Sequence, residues 1–225
     1  MSVPRASLPR LLIATRNPGK AREIQELFQG LPFEVTFPAD RFLERLPEEA
    51  DIEQGSTFME NAVAKARYFA KRGGLPTIAE DSGLEVDALG GLPGARSARF
   101  AAISGALVDR GSRAGDAGVD AANNAALVAR LAGVPEDRRT ARYRCVVAYL
   151  ERPAAAPQLV EATCEGRILE SPRGDAGFGY DPLFWSTDLE LSFGEASLPA
   201  KQRVSHRGRA FRALIEVLLR RSEQQ

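Results

Sequence analysis

Leu11-Leu12-Ile13-Ala14-Thr15-Arg16-Asn17-Pro18-Gly19-Lys20 is the stretch that decides the fold class. Leu11–Thr15 is a short apolar run suited to a buried strand, and Asn17-Pro18-Gly19 breaks it. Beyond the break, Ala21, Ile24, Leu27 and Phe28 recur at helical spacing, and Gly30 supplies a stop. Glu34–Phe37 reads as the next strand. Strand, tight turn, helix and strand in succession open an α/β protein.

The pattern continues outward. Ser56 or Thr57 caps a helix to about Arg72, with Phe58, Ala62, Ala66 and Phe69 on one face and Gly73-Gly74 at its end. Thr77–Ala79 reads as a strand running into an acidic turn, Glu80-Asp81-Ser82-Gly83. Ala101–Gly118, rich in Ala, Gly, Asp and Arg without an apolar period, reads as a flexible loop before a helix over Ala121–Leu131. Thr140–Glu151 and Leu159–Ile168 alternate in polarity, and Pro153–Pro157 joins them as a hairpin. Ser205 caps a last helix whose apolar side holds Ala210, Leu214, Val217 and Leu218.

At 225 residues, the chain makes one large domain or two small lobes, and 44% hydrophobic with 27% charged residues is an ordinary globular composition. Thirty Lys+Arg balance 30 Asp+Glu, which disfavours binding of nucleic acid by bulk electrostatics. One His and two Cys cannot furnish a four-ligand zinc site. Cys145 and Cys164 read as buried reduced thiols, with a disulfide as the alternative if their strands pair. The longest apolar run, Cys145–Leu150, is too short to cross a membrane, and no long apolar segment follows the N-terminus. The location expected is the cytoplasm.

Three segments carry chemistry. Ala14 to Ala21 has the shape of a phosphate loop but lacks its first Gly (Ala14) and its metal-binding hydroxyl (Ala21). What remains is a helix N-terminus with free amides and a Lys beside it, either an anion site or an ordinary turn with a solvated Lys. Lysine is scarce here, with only Lys20, Lys65, Lys71 and Lys201. Glu80-Asp81 follows a strand, where α/β proteins bind ligands, and adjacent acids are costly to bury without a cation. Mg²⁺ suits such a pair, with Glu53 in reach, and a solvated turn is the plain alternative. Gly174 to Pro182 sets glycines beside Phe178 and Tyr180, either of which can stack on a base, unless the segment is only a tight structural turn. Lys201 and Ser205-His206-Arg207 open helical segments suited to phosphate or a carbonyl edge, although a lone His is often structural.

Taken in order, ATRNPGK (14–20), EQGSTFMENAVAKAR (53–67), AEDSGLEVDALGGLPGARSARF (79–100), GFGYDPLF (177–184) and KQRVSHRGRA (201–210) resemble the RdgB-type inosine triphosphate pyrophosphatase family, the XTP/dITP diphosphatases. The likeness runs from about Leu11 to Leu218. It implies Mg²⁺-dependent hydrolysis of ITP, dITP or XTP to the monophosphate and pyrophosphate. It also implies an elongated two-lobed α/β fold around a long mixed sheet flanked by helices, with the active-site cleft between the lobes. The expected organisation is a single domain over 11–221, an extension (1–10), a short tail (222–225), and a homodimer without nucleic-acid or membrane partners.

Carried over by position, Thr15, Arg16, Asn17, Pro18, Gly19 and Lys20 match the triphosphate loop. Glu53 and Asp81 match metal ligands, Asp81 also the catalytic acid that activates water, and Ser82 a pocket residue. Phe178, Gly179, Tyr180 and Asp181 match the nucleoside turn, and Lys201, His206 and Arg207 match residues at the base and phosphates. Glu80 stands where many relatives carry Asp and is the alternative water-activating acid. The rival functions are a pyrophosphatase for other modified or pyrimidine nucleotides and a non-catalytic nucleotide-binding protein.

Overall fold

The computed structural model describes residues 8–105 and 117–223. β1 (Arg10–Ile13) turns into α1 (Pro18–Leu27), and β2 (Glu34–Thr36) returns parallel to β1, with Leu11 opposite Val35. α2 (Phe58–Gly73) carries the chain to β3 (Thr77–Val86), which pairs parallel to the other edge of β1. Thr57 Oγ1 accepts from Glu60 N at 3.1 Å while Glu60 Oε2 accepts from Thr57 N at 3.2 Å, a reciprocal cap that fixes where α2 begins. Gly74, at φ 62°, ends it in the left-handed conformation that glycine adopts without strain.

The later chain adds α3 (Phe100–Ile103), α4 (Ala117–Arg130) and the antiparallel pair β4 (Thr140–Leu150) and β5 (Gln158–Ile168). Two short strands, β6 (Phe184–Ser186) and β7 (Leu191–Ser192), precede α5 (Leu198–Val204) and α6 (His206–Ser222). Among the described residues the strands form one mixed sheet in the order β2-β1-β3-β4-β5-β6-β7. No helix among them is long and apolar enough to cross a membrane.

Alternation along the strands splits the core between two faces. Leu11, Ile13, Ile78 and Val147 pack against Ile24 and Phe28 of α1 and Phe211 and Leu214 of α6. Leu12, Ala14, Ala79 and Ala148 pack against Ala62, Ala66 and Phe69 of α2 on the other. With α1 and α2 on opposite faces, a crevice opens at the carboxyl end of β1, where open α/β sheets bind ligands.

The acidic segment is not a turn. β1 pairs with β3 only at Thr77 and Ile78, whereas β4 pairs with β3 from Thr77 through to Val86. Glu80-Asp81-Ser82-Gly83 is therefore mid-strand, held by β4 on one side and open to the crevice where β1 has stopped. Gly83 is required there, because a Cβ would lie 2.4 Å from both the Gly94 carbonyl and Ser97 Oγ. Ala101–Gly118 is not wholly loop either: residues 101–103 complete α3, residues 117–118 begin α4, and residues 106–116 lie outside the described residues.

Both cysteines are free and buried, and the register offsets them by one pair, Cys145 opposite Ala162 and Cys164 opposite Tyr143. Burial pushes the Cys164 thiol up to about 11 and raises Cys145 well above its ordinary value. Native protein at neutral pH is expected to react with a thiol-disulfide reagent at neither cysteine, and unfolded protein at both. One rapidly titrating thiol in the native state would contradict this burial.

Candidate active site

The turn after β1 is built by its own side chains. Asn17 Oδ1 accepts from Lys20 N at 2.9 Å, Asn17 N donates to Thr15 Oγ1 at 3.2 Å, and Pro18 occupies the first helical turn, where its missing N–H costs nothing. Gly19 must be glycine for a long-range reason: a Cβ there would stand 2.5 Å from the Phe178 ring. The turn and the glycine-aromatic segment thus meet in space.

Beneath them lies a buried ionic network. Lys20 Nζ reaches Glu80 Oε1 at 2.8 Å, and Arg207 Nη2 reaches the same oxygen at 3.4 Å and Ser82 Oγ at 2.9 Å. Glu23 of α1 accepts from Lys201 Nζ at 2.7 Å and Arg207 Nη1 at 2.6 Å, and Lys201 also pairs with Asp181 at 2.5 Å. Burial opposes charge on Glu80, yet Arg207, Lys20 and Lys65 hold its carboxyl well below the usual carboxylate range. The site is pre-charged and balanced, with Lys20, Lys201 and Arg207 facing Glu23, Glu80 and Asp181.

On the other face of β3, Asp81 Oδ2 accepts from Asn61 Nδ2 at 2.9 Å, and Asn61 Oδ1 accepts from Gly55 N at 2.8 Å. Lys65 of α2 pairs with Glu53 and donates to the Glu80 carbonyl at 3.0 Å. Burial raises the Asp81 carboxyl above its ordinary value, and Glu53 adds repulsion, against the partial relief from Lys65 and Lys20. The adjacent acids of β3 are thus pushed apart: Glu80 is locked as an anion among cations, and Asp81 is the more basic carboxylate.

The segment Gly177–Asp181 is clasped from several sides. Asp181 Oδ2 accepts from Phe178 N at 2.7 Å, Asp120 Oδ2 accepts from Gly179 N at 2.7 Å, and Asn124 Nδ2 donates to the Gly179 carbonyl at 2.9 Å. Tyr180 is buried and donates to the Ser97 carbonyl at 2.8 Å, so Phe178 is the ring left half-exposed. Lys201 Nζ and the Arg207 guanidinium lie 5.0 and 5.5 Å from its centroid. His206 stacks on Tyr143 with centroids 4.5 Å apart, and burial together with the Arg207 charge keeps its imidazole well below the ordinary value. It is a neutral ring at neutral pH and adds no charge for a polyanion.

These elements enclose one cavity of about 900 Å³, behind whose lining Glu23, Glu80 and Asn61 sit. Thr15, Arg16, Asn17, Pro18 and Lys20 line it, as do Glu53, Asp81, Ser82, the segment Phe178–Asp181, Lys201, His206 and Arg207. Gly19 is covered by Phe178 instead. Sequence reasoning missed Glu23, Asn61 and Lys65 as parts of the site. One signal for Lys65 was present, since three of the four lysines line this cavity.

Residues 11–217 match the model of the Ham1 family. Among relatives, a dITP/XTP pyrophosphatase of Lactobacillus acidophilus is 43% identical over 93% of this chain and 96% of its own length. One from Geobacter sulfurreducens is 44% identical over 92% and 95%. The solved structure of a HAM1 protein from Coxiella burnetii is similar with a TM-score of 0.77 and 33% identity, covering 94% of this chain and 99% of the other. A nucleoside-triphosphatase, or dITP/XTP pyrophosphatase, from Mycobacterium abscessus is similar with a TM-score of 0.64 and 38% identity over 91% and 98%.

Proposed function

This chain belongs to the Ham1 family, and from that premise we propose that it hydrolyses non-standard purine nucleoside triphosphates, dITP, ITP and XTP, to the monophosphate and pyrophosphate. The observation that carries the reading is the division of labour in the cavity. Glu53, Asp81, Lys20 and Lys65 suit a triphosphate and its metal, while Phe178, flanked by Lys201 and Arg207, suits a purine.

Mg²⁺ is part of the proposal. Glu53 and Asp81 are hard oxygen donors lining the same cavity, and Glu53 together with burial raises the Asp81 carboxyl, a penalty that a bound cation would relieve. Two carboxylates suit an ion that keeps waters and substrate phosphates as its other ligands. Bound there, Mg²⁺ supplies charge neutralisation on the phosphates. Asp81, the more basic acid, takes the proton of the water that attacks the phosphorus. Lys20, which lines the cavity, offsets the charge that develops on the departing pyrophosphate. Glu80 is assigned no proton transfer, because its ion pairs hold it as a fixed anion. A homodimer in the cytoplasm and a single domain over 11–221 complete the proposal, on the strength of the resemblance.

Base choice has a physical form. Hypoxanthine and xanthine present a 6-oxo acceptor, which suits the donors of Lys201 and Arg207 beside Phe178. Adenine presents an amino donor there, and an unpaired donor in a buried site discriminates by about 10⁴-fold. Pyrophosphate release is expected from ITP, dITP and XTP with Mg²⁺, far less from ATP, and none without a divalent cation. Guanine shares the 6-oxo acceptor, so far less release is expected from GTP through a penalty on its 2-amino group. Equal rates on all five nucleotides, or release of orthophosphate instead, would refute the reading.

A further inference from the structure

Arg16 lies in the turn assigned above to the triphosphate, yet its guanidinium is committed elsewhere. Nε donates to Glu49 Oε2 at 2.6 Å and Nη2 to Glu49 Oε1 at 2.7 Å, a bidentate pair. Nη2 also reaches the carbonyls of Leu43 at 2.9 Å and Glu44 at 3.3 Å. The guanidinium carbon sits 5.5 Å from the centroid of the Phe69 ring. Glu49 takes a second arginine as well: Arg72 Nη1 lies 2.9 Å from Oε1 and donates to the Glu44 carbonyl at 2.8 Å. The Glu49 side chain is only 6% exposed. An isolated surface pair fixes little, but two arginines sharing one buried carboxylate, both also closing on backbone carbonyls, immobilise a loop.

That loop delivers Glu53. Glu49 sits in a 3₁₀ turn over Pro47–Asp51, and Glu53 follows two residues after it. The Glu53 carbonyl accepts from Arg99 Nη2 at 2.7 Å and its carboxylate pairs with Lys65. We infer that Arg16 is a positioning residue: through Glu49 it holds segment 43–53, and with it the Glu53 carboxylate, in register with the Thr15–Lys20 turn, and it is not a ligand of the triphosphate. The inference rests on the proposed roles of that turn and of Glu53. For Arg16 to bind phosphate it must abandon a charged, bidentate partner and two carbonyls, whereas Lys20 gives up a single ion pair to Glu80.

Four variants test it: Arg16→Ala, Arg16→Lys, Glu49→Gln, and the double Arg16→Ala/Glu49→Gln. Each single change is expected to raise the half-saturating Mg²⁺ concentration for pyrophosphate release by about tenfold, the scale of lost support for a metal ligand. The double variant is expected to fall short of the sum of the two singles, because both break the Arg16–Glu49 pair while each also loses partners of its own. Arg16→Lys does not rescue, since an ammonium cannot reproduce the fork. At saturating Mg²⁺ the KM for ITP stays within about twofold of wild type. Trypsin cleavage after Arg41 or Arg45 accelerates in all four variants, a readout that needs no turnover. The inference is overturned if Arg16→Ala weakens ITP and pyrophosphate binding while Arg16→Lys restores it and Glu49→Gln has no effect. Unchanged Mg²⁺ dependence and unchanged proteolysis also overturn it. If wild-type protein releases no pyrophosphate from ITP, the functional reading fails, and proteolysis still decides whether Arg16 holds the loop.

Discussion

Asp81→Asn is expected to lower kcat for pyrophosphate release by about 10³-fold or more while leaving the protein folded. The side chain keeps its shape, and its remaining oxygen can still accept from Asn61 Nδ2, now 2.9 Å away. What it loses is the ability to take a proton and to offer a charged oxygen to a cation. Stability moves little, for a reason visible in the site: burial raises the Asp81 carboxyl above its ordinary value, so the fold already disfavours its charged form. For an acid with a raised folded pKa, ionisation at neutral pH subtracts from stability, and a neutral isostere removes that penalty. The melting temperature is therefore expected to be unchanged or slightly higher, measured beside the kinetics. Hydrolysis within tenfold of wild type in a folded Asp81→Asn protein would remove Asp81 from the reaction.

The elements that could be read from the sequence are those whose signals are local. Thr57 and Glu60 cap α2 across three residues, Gly74 ends it, and Ser205 caps α6 through Gly208 N at 3.1 Å. Strands β4 and β5 announce themselves by alternation, and Pro153–Pro157 supplies the join. The Glu80-Asp81-Ser82-Gly83 segment had no such signal, because these are poor strand formers. Its conformation is imposed by β4, with Glu80 opposite Val147 and Asp81 opposite Val146. That register also sends the two acids to opposite faces, the basis of their different roles. His206 was recognisable as a site residue but not as a neutral one, since its burial and its stack on Tyr143 are tertiary facts. Glu23 was invisible for the same reason: neighbours Arg22 and Glu26 are exposed, and a glutamate in α1 reads as a solvated side chain. Its partners lie 178 and 184 residues away.

Glu23→Ala is expected to cost about 3–5 kcal/mol of stability, seen as a fall of roughly 10 °C in melting temperature. The magnitude follows from what is left behind, not from the strength of the pair. Lys201 and Arg207 are both buried, at 3% exposure each, and among the described residues Glu23 is the one carboxylate that bridges them. Without it, buried Lys201 and Arg207 and the partly exposed Lys20 face two carboxylates, and each of these, Asp181 and Glu80, already holds its own partners. Glu23→Gln keeps the volume and one acceptor, so it separates lost packing from lost charge and is expected to retain most of the defect. The pH dependence gives an independent check. Burial works against the charged form of Glu23, but Lys201 and Arg207 pull its carboxyl below the ordinary 4.5. The stability it adds is then fully present above that ordinary value and disappears as pH falls through the lower folded value. The gap between wild type and Glu23→Ala should be widest at neutral pH and close on acidification. A constant gap from neutral to strongly acidic pH would show that Glu23 acts through packing alone.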